Sequence, residues 1–200
     1  MSIENIHEKF VKNRRACILQ EKLSNLFPNS KAAVLDIGCG DGAVASHLMK
    51  SKPNLQITGI DPLVRPGAVI PVTEFDGQSI PFATAQFDFC LFVDVLHHAN
   101  DPFLLLQEAT RVAKQGIIIK DHNVRGLFAR ATLKFMDDTH NRRYGVSLPY
   151  NYWTHAEWQL AFKKLKLKPI KYVTKLHLYP AWADWLFGRN LHFIGLFEKI

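Results

Sequence analysis

Four carboxylates in the first half of the chain set the chemistry to be explained. Asp36 and Asp41 bracket a glycine loop, Asp36-Ile37-Gly38-Cys39-Gly40-Asp41-Gly42; Asp61 and then Asp76 follow downstream. Glycines in such a loop let a ligand approach backbone N–H groups at a helix N-terminus, where any side chain would block contact. Gly38, Gly40 and Ala43 also satisfy the loose dinucleotide fingerprint, so a nicotinamide-dependent oxidoreductase stays open as an alternative. Charge argues against it. No Lys or Arg occurs from 32 to 49 to meet a pyrophosphate, while Asp36 and Asp41 suit a cation such as an ammonium. Asp61 is spaced to accept ribose hydroxyls, and Asp76 to accept an adenine amino group. Further along stand possible proton carriers: Asp94, His97 and His98, then Asp121 and His122. Histidine is the side chain best suited to move a proton near neutral pH. No H-x-x-x-H or comparable spacing occurs, so no metal is expected.

These residues need elements to hold them. Apolar runs bounded by glycine or polar residues predict strands at 32–38, 56–61, 72–75, 87–93 and 116–120. Helical spacing predicts helices at 3–26, 42–51 and 102–113, the last opened by Asp101-Pro102 as N-cap and first turn. Such alternation builds a parallel sheet with helices on both faces, and ligands bind there at the C-terminal strand ends. Each carboxylate falls at one of those ends. Beyond 121 the pattern changes: a helix at 123–136, a polar loop at 139–153, a helix from Thr154 to about 165 with Glu157 completing a capping box, and closing strands at 168–174 and 191–199. The chain therefore reads as one domain, with a cofactor-binding core at 32–121 and an inserted segment at 122–153.

The net charge of +7 is uneven: residues 1–119 carry −1 and residues 120–200 carry +8. A basic C-terminal part interleaved with aromatics suits a solvated face or an acidic partner such as RNA. Three scattered cysteines, Cys17, Cys39 and Cys90, suggest neither disulfides nor zinc. The opening MSIENIHEKF lacks an apolar core, and no run reaches the ~20 apolar residues of a membrane span, so a cytoplasmic chain is expected.

Among nucleosides, S-adenosylmethionine carries an ammonium, a sulfonium and no phosphate. VLDIGCGDGAVASHL, ITGIDP and FDGQSIPFATAQFDFCLFVDVLHHANDP resemble, in order, the motifs of class I S-adenosylmethionine-dependent methyltransferases, in particular the ubiquinone/menaquinone-type group. The resemblance implies a doubly wound, seven-stranded, mostly parallel α/β sheet with an antiparallel last strand, and that cofactor. It implies that Asp36, Gly38, Cys39, Gly40 and Gly42 hold the methionine end, Asp61 and Pro62 the ribose, Asp76 and Gly77 the adenine, with Asp94 and Val95 beside it. Methyl transfer to a small-molecule or lipid-like acceptor is expected, with tRNA methylation or a non-catalytic binding module as alternatives. Proton transfer would fall to His97, His98 or Asp121. The segment 137–153 departs from common members and reads as a substrate lid bearing Asp137, His140, Asn141, Tyr144, Asn151 and Tyr152.

Overall fold

The computed structural model describes residues 3–141 and 149–200. The chain opens with helix α1 (Ile3–Ser24), then alternates through β1 (Ala32–Ile37), α2 (Ala43–Ser51), β2 (Leu55–Asp61), β3 (Val72–Glu74), β4 (Phe87–Val93), α3 (Pro102–Val112) and β5 (Ala113–His122). It continues through α4 (Ala129–Asn141), α5 (His155–Lys164), β6 (Leu167–Val173) and β7 (His192–Lys199). A short 3-10 turn, Leu96–His98, follows β4.

The seven strands lie in the order β3-β2-β1-β4-β5-β7-β6, as one sheet. β1 pairs in parallel with both β2 and β4, while β7 runs antiparallel to both β5 and β6. The strand order reverses between β1 and β4. Connections leave that point on opposite faces, so a crevice opens at the C-terminal ends of the two strands.

Side-chain alternation divides the core. Ile117 and Ile119 of β5 join Leu35, Ile37 and Phe92 on one face, beneath Leu106 of α3 and Phe162 of α5. Ile118 joins Val34, Leu91 and Ile194 on the other, beneath Leu23 of α1 and Leu48 of α2. Burying a leucine or phenylalanine contributes roughly 1.5–3 kcal/mol. Local signals agree with this packing. Asp101 accepts from the amides of Phe103 and Leu104, at 3.0 Å each, and the capping box of Thr154 and Glu157 is formed.

Two elements differ from the sequence reading. β5 extends to His122, because Asp121 and His122 pair with Phe193 and His192 of β7; polar side chains disguised a buried strand end as a loop. α4 starts at Ala129 rather than at 123. The amide of Asn123 donates to Leu191 and that of Val124 to Trp153, and Gly126 adopts φ +88°, which holds the chain out of a helix. α4 then runs on through 141, so Asp137 stands on a helix, not in a loop.

Candidate active site

The glycine loop is tied down by β2. The amides of Gly38 and Cys39 donate to the carbonyl of Ile60 (2.7 and 3.1 Å), and the amide of Gly40 donates to Asp61 Oδ2 (2.8 Å). Asp61 Oδ1 accepts from the amide of Leu63 (2.9 Å). A carboxylate has about four acceptor positions, so both oxygens keep capacity for ligand hydroxyls. Gly38 has φ +69°, and a Cβ on it would lie 2.7 Å from both methyls of Val95. Glycine is thus required twice over, for backbone conformation and for space. Behind the loop, Asp36 is 2% exposed. Burial, and then the charge of Asp61, push its carboxyl up to about 7. Burial likewise pushes the Cys39 thiol up to about 12, so it is no nucleophile.

A cavity of about 610 Å³ opens in front of these elements, within the size range of cofactor sites. Of the predicted residues, Gly38, Asp61, Pro62, Asp76, Gly77, Asp94, Val95, His97, His98 and Asp137 form its wall. Asp36, Cys39, Gly40, Gly42, Asp121, Asn151 and Tyr152 are not among its lining residues. Asp76 Oδ1 accepts from the amides of Gln78 and Ser79 (2.7 and 2.6 Å), which hold its carboxyl below the usual value. Tyr144 lies outside the described residues, as do the side chains of His140 and Asn141.

The far end of the cavity is a dense cluster of acids and bases. Asp94 bonds Lys120 Nζ and pairs with Arg15 Nη2 at 3.1 Å. Burial would raise its carboxyl, but the charges of Lys120, then Arg15, outweigh this and hold it well below the carboxylate range. His97 Nδ1 meets Asp121 Oδ1 at 2.6 Å, and its Nε2 lies 3.4 Å from Asp137 Oδ2. Burial opposes charge on His97, yet Asp121 and then Asp137 raise it. Burial, with His97 alongside, lowers His98 to about 4. Asp121 is fully buried and also accepts from the amides of Leu96 (2.9 Å) and His122 (2.7 Å). It therefore fixes the His97 ring and does not itself face the cavity. Tyr152 donates its hydroxyl to Asp137. Asn151 holds the turn below, its amide donating to His97 O (3.0 Å) and its Nδ2 to Ala99 O (2.8 Å).

Several wall residues escape a reading by local spacing. Arg15 comes from α1, and the Arg65 guanidinium carbon lies 3.5 Å from where a Gly40 Cβ would sit. The loop itself lacks basic residues, but the folded cavity does not. His122, one of the proton carriers the sequence points to, faces the cavity from the end of β5. His192, its partner in register, is buried and its charged form strongly disfavoured by burial.

A family model described as "Methyltransferase domain" matches residues 10–172. The chain is 25% identical over 191 residues to the mitochondrial ubiquinone biosynthesis O-methyltransferase of Saccharomyces cerevisiae, covering 83% of this chain and 60% of that protein. It is 31% identical over 98 residues to the tRNA (carboxymethyluridine(34)-5-O)-methyltransferase of Schizosaccharomyces pombe, covering 47% of this chain and 41% of that protein. The chain thus spans less than two thirds of the length of these curated relatives. Its fold is similar to a chain of the complex between the Haloferax volcanii Trm112 methyltransferase activator and a methyltransferase. There the TM-score is 0.71 at 17% identity, covering 96% of this chain and 93% of that one.

Proposed function

Since the chain belongs to the methyltransferase-domain family, whose cofactor is S-adenosylmethionine, we propose that it methylates a small-molecule or lipid-like acceptor held at the histidine end of the cavity. One observation carries this reading: a single cavity joins Gly38, Asp61 and Asp76 at one end to His97, His98 and Asp137 at the other. The residues fit the cofactor. Asp36, buried and pushed up to about 7, is a carboxyl that gains by meeting an ammonium. The glycine loop, with Cys39, Gly40 and Gly42, leaves room for the methionine moiety, and Arg65 brings a cation toward its carboxylate. Asp61 and Pro62 hold the ribose, Asp76 and Gly77 the adenine, and Asp94 and Val95 the neighbouring wall.

The bound cofactor supplies a methyl group on a positively charged sulfur, already activated for in-line displacement. The protein's part is to orient the acceptor, exclude water and receive a proton where the acceptor must lose one. His97, oriented by Asp121, and His98 stand at the place to do this. Calorimetry with S-adenosylmethionine and its demethylated product tests the reading. Binding of both at or below about 1 mM is expected, followed by transfer of labelled methyl into the low-molecular-weight fraction of a cell extract. Absence of binding by either would overturn it.

A second reading, RNA methylation, is favoured by the basic C-terminal part and by the similarity to a tRNA methyltransferase over 98 residues. The position of part of that charge argues against it, while exposed Arg125, Arg130 and Lys134 lie on the α4 side. Lys163, Lys164, Lys166, Lys168 and Lys171 are exposed, around the end of α5 and the start of β6. β6 runs parallel to β5, so its start lies at the edge of the sheet remote from the cavity.

A further inference from the structure

We propose that His97, His98 and Asp137 bind a transition-metal dication at the acceptor end of the cavity. One ligand atom from each lies within 4.8 Å of the others. Donors that each stand about 2.1 Å from one ion are separated from each other by little more than 3 Å. His97 Nε2 and Asp137 Oδ2, 3.4 Å apart, already have that separation.

The surroundings have the build of a metal centre. Asp121 accepts from His97 Nδ1 at 2.6 Å, which fixes the tautomer and aims the Nε2 lone pair at Asp137; metal-bound histidines are ordinarily backed in this way by a carboxylate. Asp121 is itself fixed by the amides of Leu96 and His122, so it orients rather than ligates. Tyr152 holds Asp137, and His122 Nε2 flanks it at 3.7 Å. Charge supports a cation here. With the histidines neutral, the carboxylates of Asp94, Asp121 and Asp137 outnumber the basic groups of Arg15 and Lys120 by one. Two imidazoles and a carboxylate suit Zn²⁺ or Fe²⁺ better than Mg²⁺. All three ligands line the cavity, so the open coordination positions face it, ready for an oxygen or nitrogen donor of the acceptor. With the ion bound, the histidines ligate rather than accept a proton, and the cation itself would lower the pKa of a coordinated acceptor group. Spacing alone does not reveal the site, because adjacent histidines on a turn meet an aspartate from a distant helix.

Ion binding stands apart from the methyl-transfer reading; only its use in catalysis rests on that reading. The test titrates Co²⁺ and Zn²⁺ into the chelator-treated full chain, followed by calorimetry and by the visible absorption of cobalt. Cofactor-product binding is measured on the same samples. One ion per chain is expected. His97→Asn and Asp137→Asn should each weaken it more than tenfold, Asp121→Asn by about 10–100-fold, and the exposed His155→Asn not at all. Should His97→Asn lose its fold by circular dichroism, ¹⁵N-histidine spectra of the wild-type chain decide instead, with Zn²⁺ shifting Nε2 of His97 and sparing surface histidines. Absence of stoichiometric binding, undiminished binding by a folded His97→Asn chain, or an unmoved His97 resonance overturns the proposal. Failure of the metal with intact cofactor-product binding would leave the methyltransferase reading standing.

Discussion

Among the described residues, the charge that acts on buried Asp36 is that of Asp61, which adds to the effect of burial. With its carboxyl raised from the ordinary 3.8 to about 7, the folded chain holds a proton there that the unfolded chain has already released. Between those two values the native state keeps this extra proton, so the Asp36 contribution to stability falls as pH rises, by on the order of 4 kcal/mol at most. Burial lowers His98, His122 and His192, which gives the opposite slope in the same window. The difference between denaturant titrations of the wild-type chain and of Asp36→Asn should therefore show the falling contribution. The same proton makes a second prediction. An ammonium beside Asp36 favours the carboxylate, so cofactor binding should release a proton below pH 7 and strengthen as pH rises. Calorimetry in two buffers of different ionisation enthalpy reads that release directly. At Gly38 the expected failure is steric. Gly38→Ala drives a Cβ into the Val95 methyls, 2.7 Å away, at φ +69°. It should cost about 1–3 kcal/mol, and adding Val95→Ala should recover the steric part but not the backbone part. A double-mutant cycle on unfolding free energies separates the two.

At the scale of elements, α5 reaches the site through one hydrogen bond. Trp158, on its first turn, donates Nε1–H to the carbonyl of His122 at 3.0 Å, while Thr154 and Glu157 cap the helix. Thr154→Ala should cost about 1 kcal/mol, read as a lowered denaturation midpoint with unchanged m-value. Trp158→Phe preserves most of the apolar contact yet strands a buried carbonyl, and should cost about 1–3 kcal/mol. These elements were also the ones sequence patterns described best. The caps at Asp101 and Thr154 are local chemistry, and the apolar run Phe87–Val93 coincides with β4. What the sequence could not show was long-range. Asp121 and His122 became strand residues only because β7 pairs beside them, and Asp137 became a helix residue because α4 starts late and runs on through 141. Arg15 and Arg65 reach the cavity from α1 and from the segment after β2. Among the C-terminal aromatics, Phe193 is buried whereas Trp185 is 80% exposed, a difference that residue type alone does not reveal.

At the scale of the whole molecule, the lysines around the end of α5 and the start of β6 sit at the opposite end of the sheet from the cavity. The exposed lysines of α5 and β6 lie far from the cavity, so they set solubility and weak association rather than turnover. Replacing Lys164, Lys166 and Lys168 together by glutamine should leave methyl-transfer kinetics on a small acceptor within about twofold. Added salt should barely move its KM, whereas an RNA acceptor requires a steep linear loss of log affinity with log salt.

β5 carries Lys120, Asp121 and His122 in succession; Lys120 pairs with both β4 and β7, Asp121 and His122 with β7. Backbone amides so enclosed exchange with deuterium only when the whole sheet opens. The groups that hold the site from behind, Lys120 against Asp94 and Asp121 against His97, are thus anchored in the slowest-exchanging portion of the chain, and adaptation to different guests is left to the surrounding helices. Inactivation by heat should then coincide with global melting, with no earlier stage at which an intact fold has lost its site.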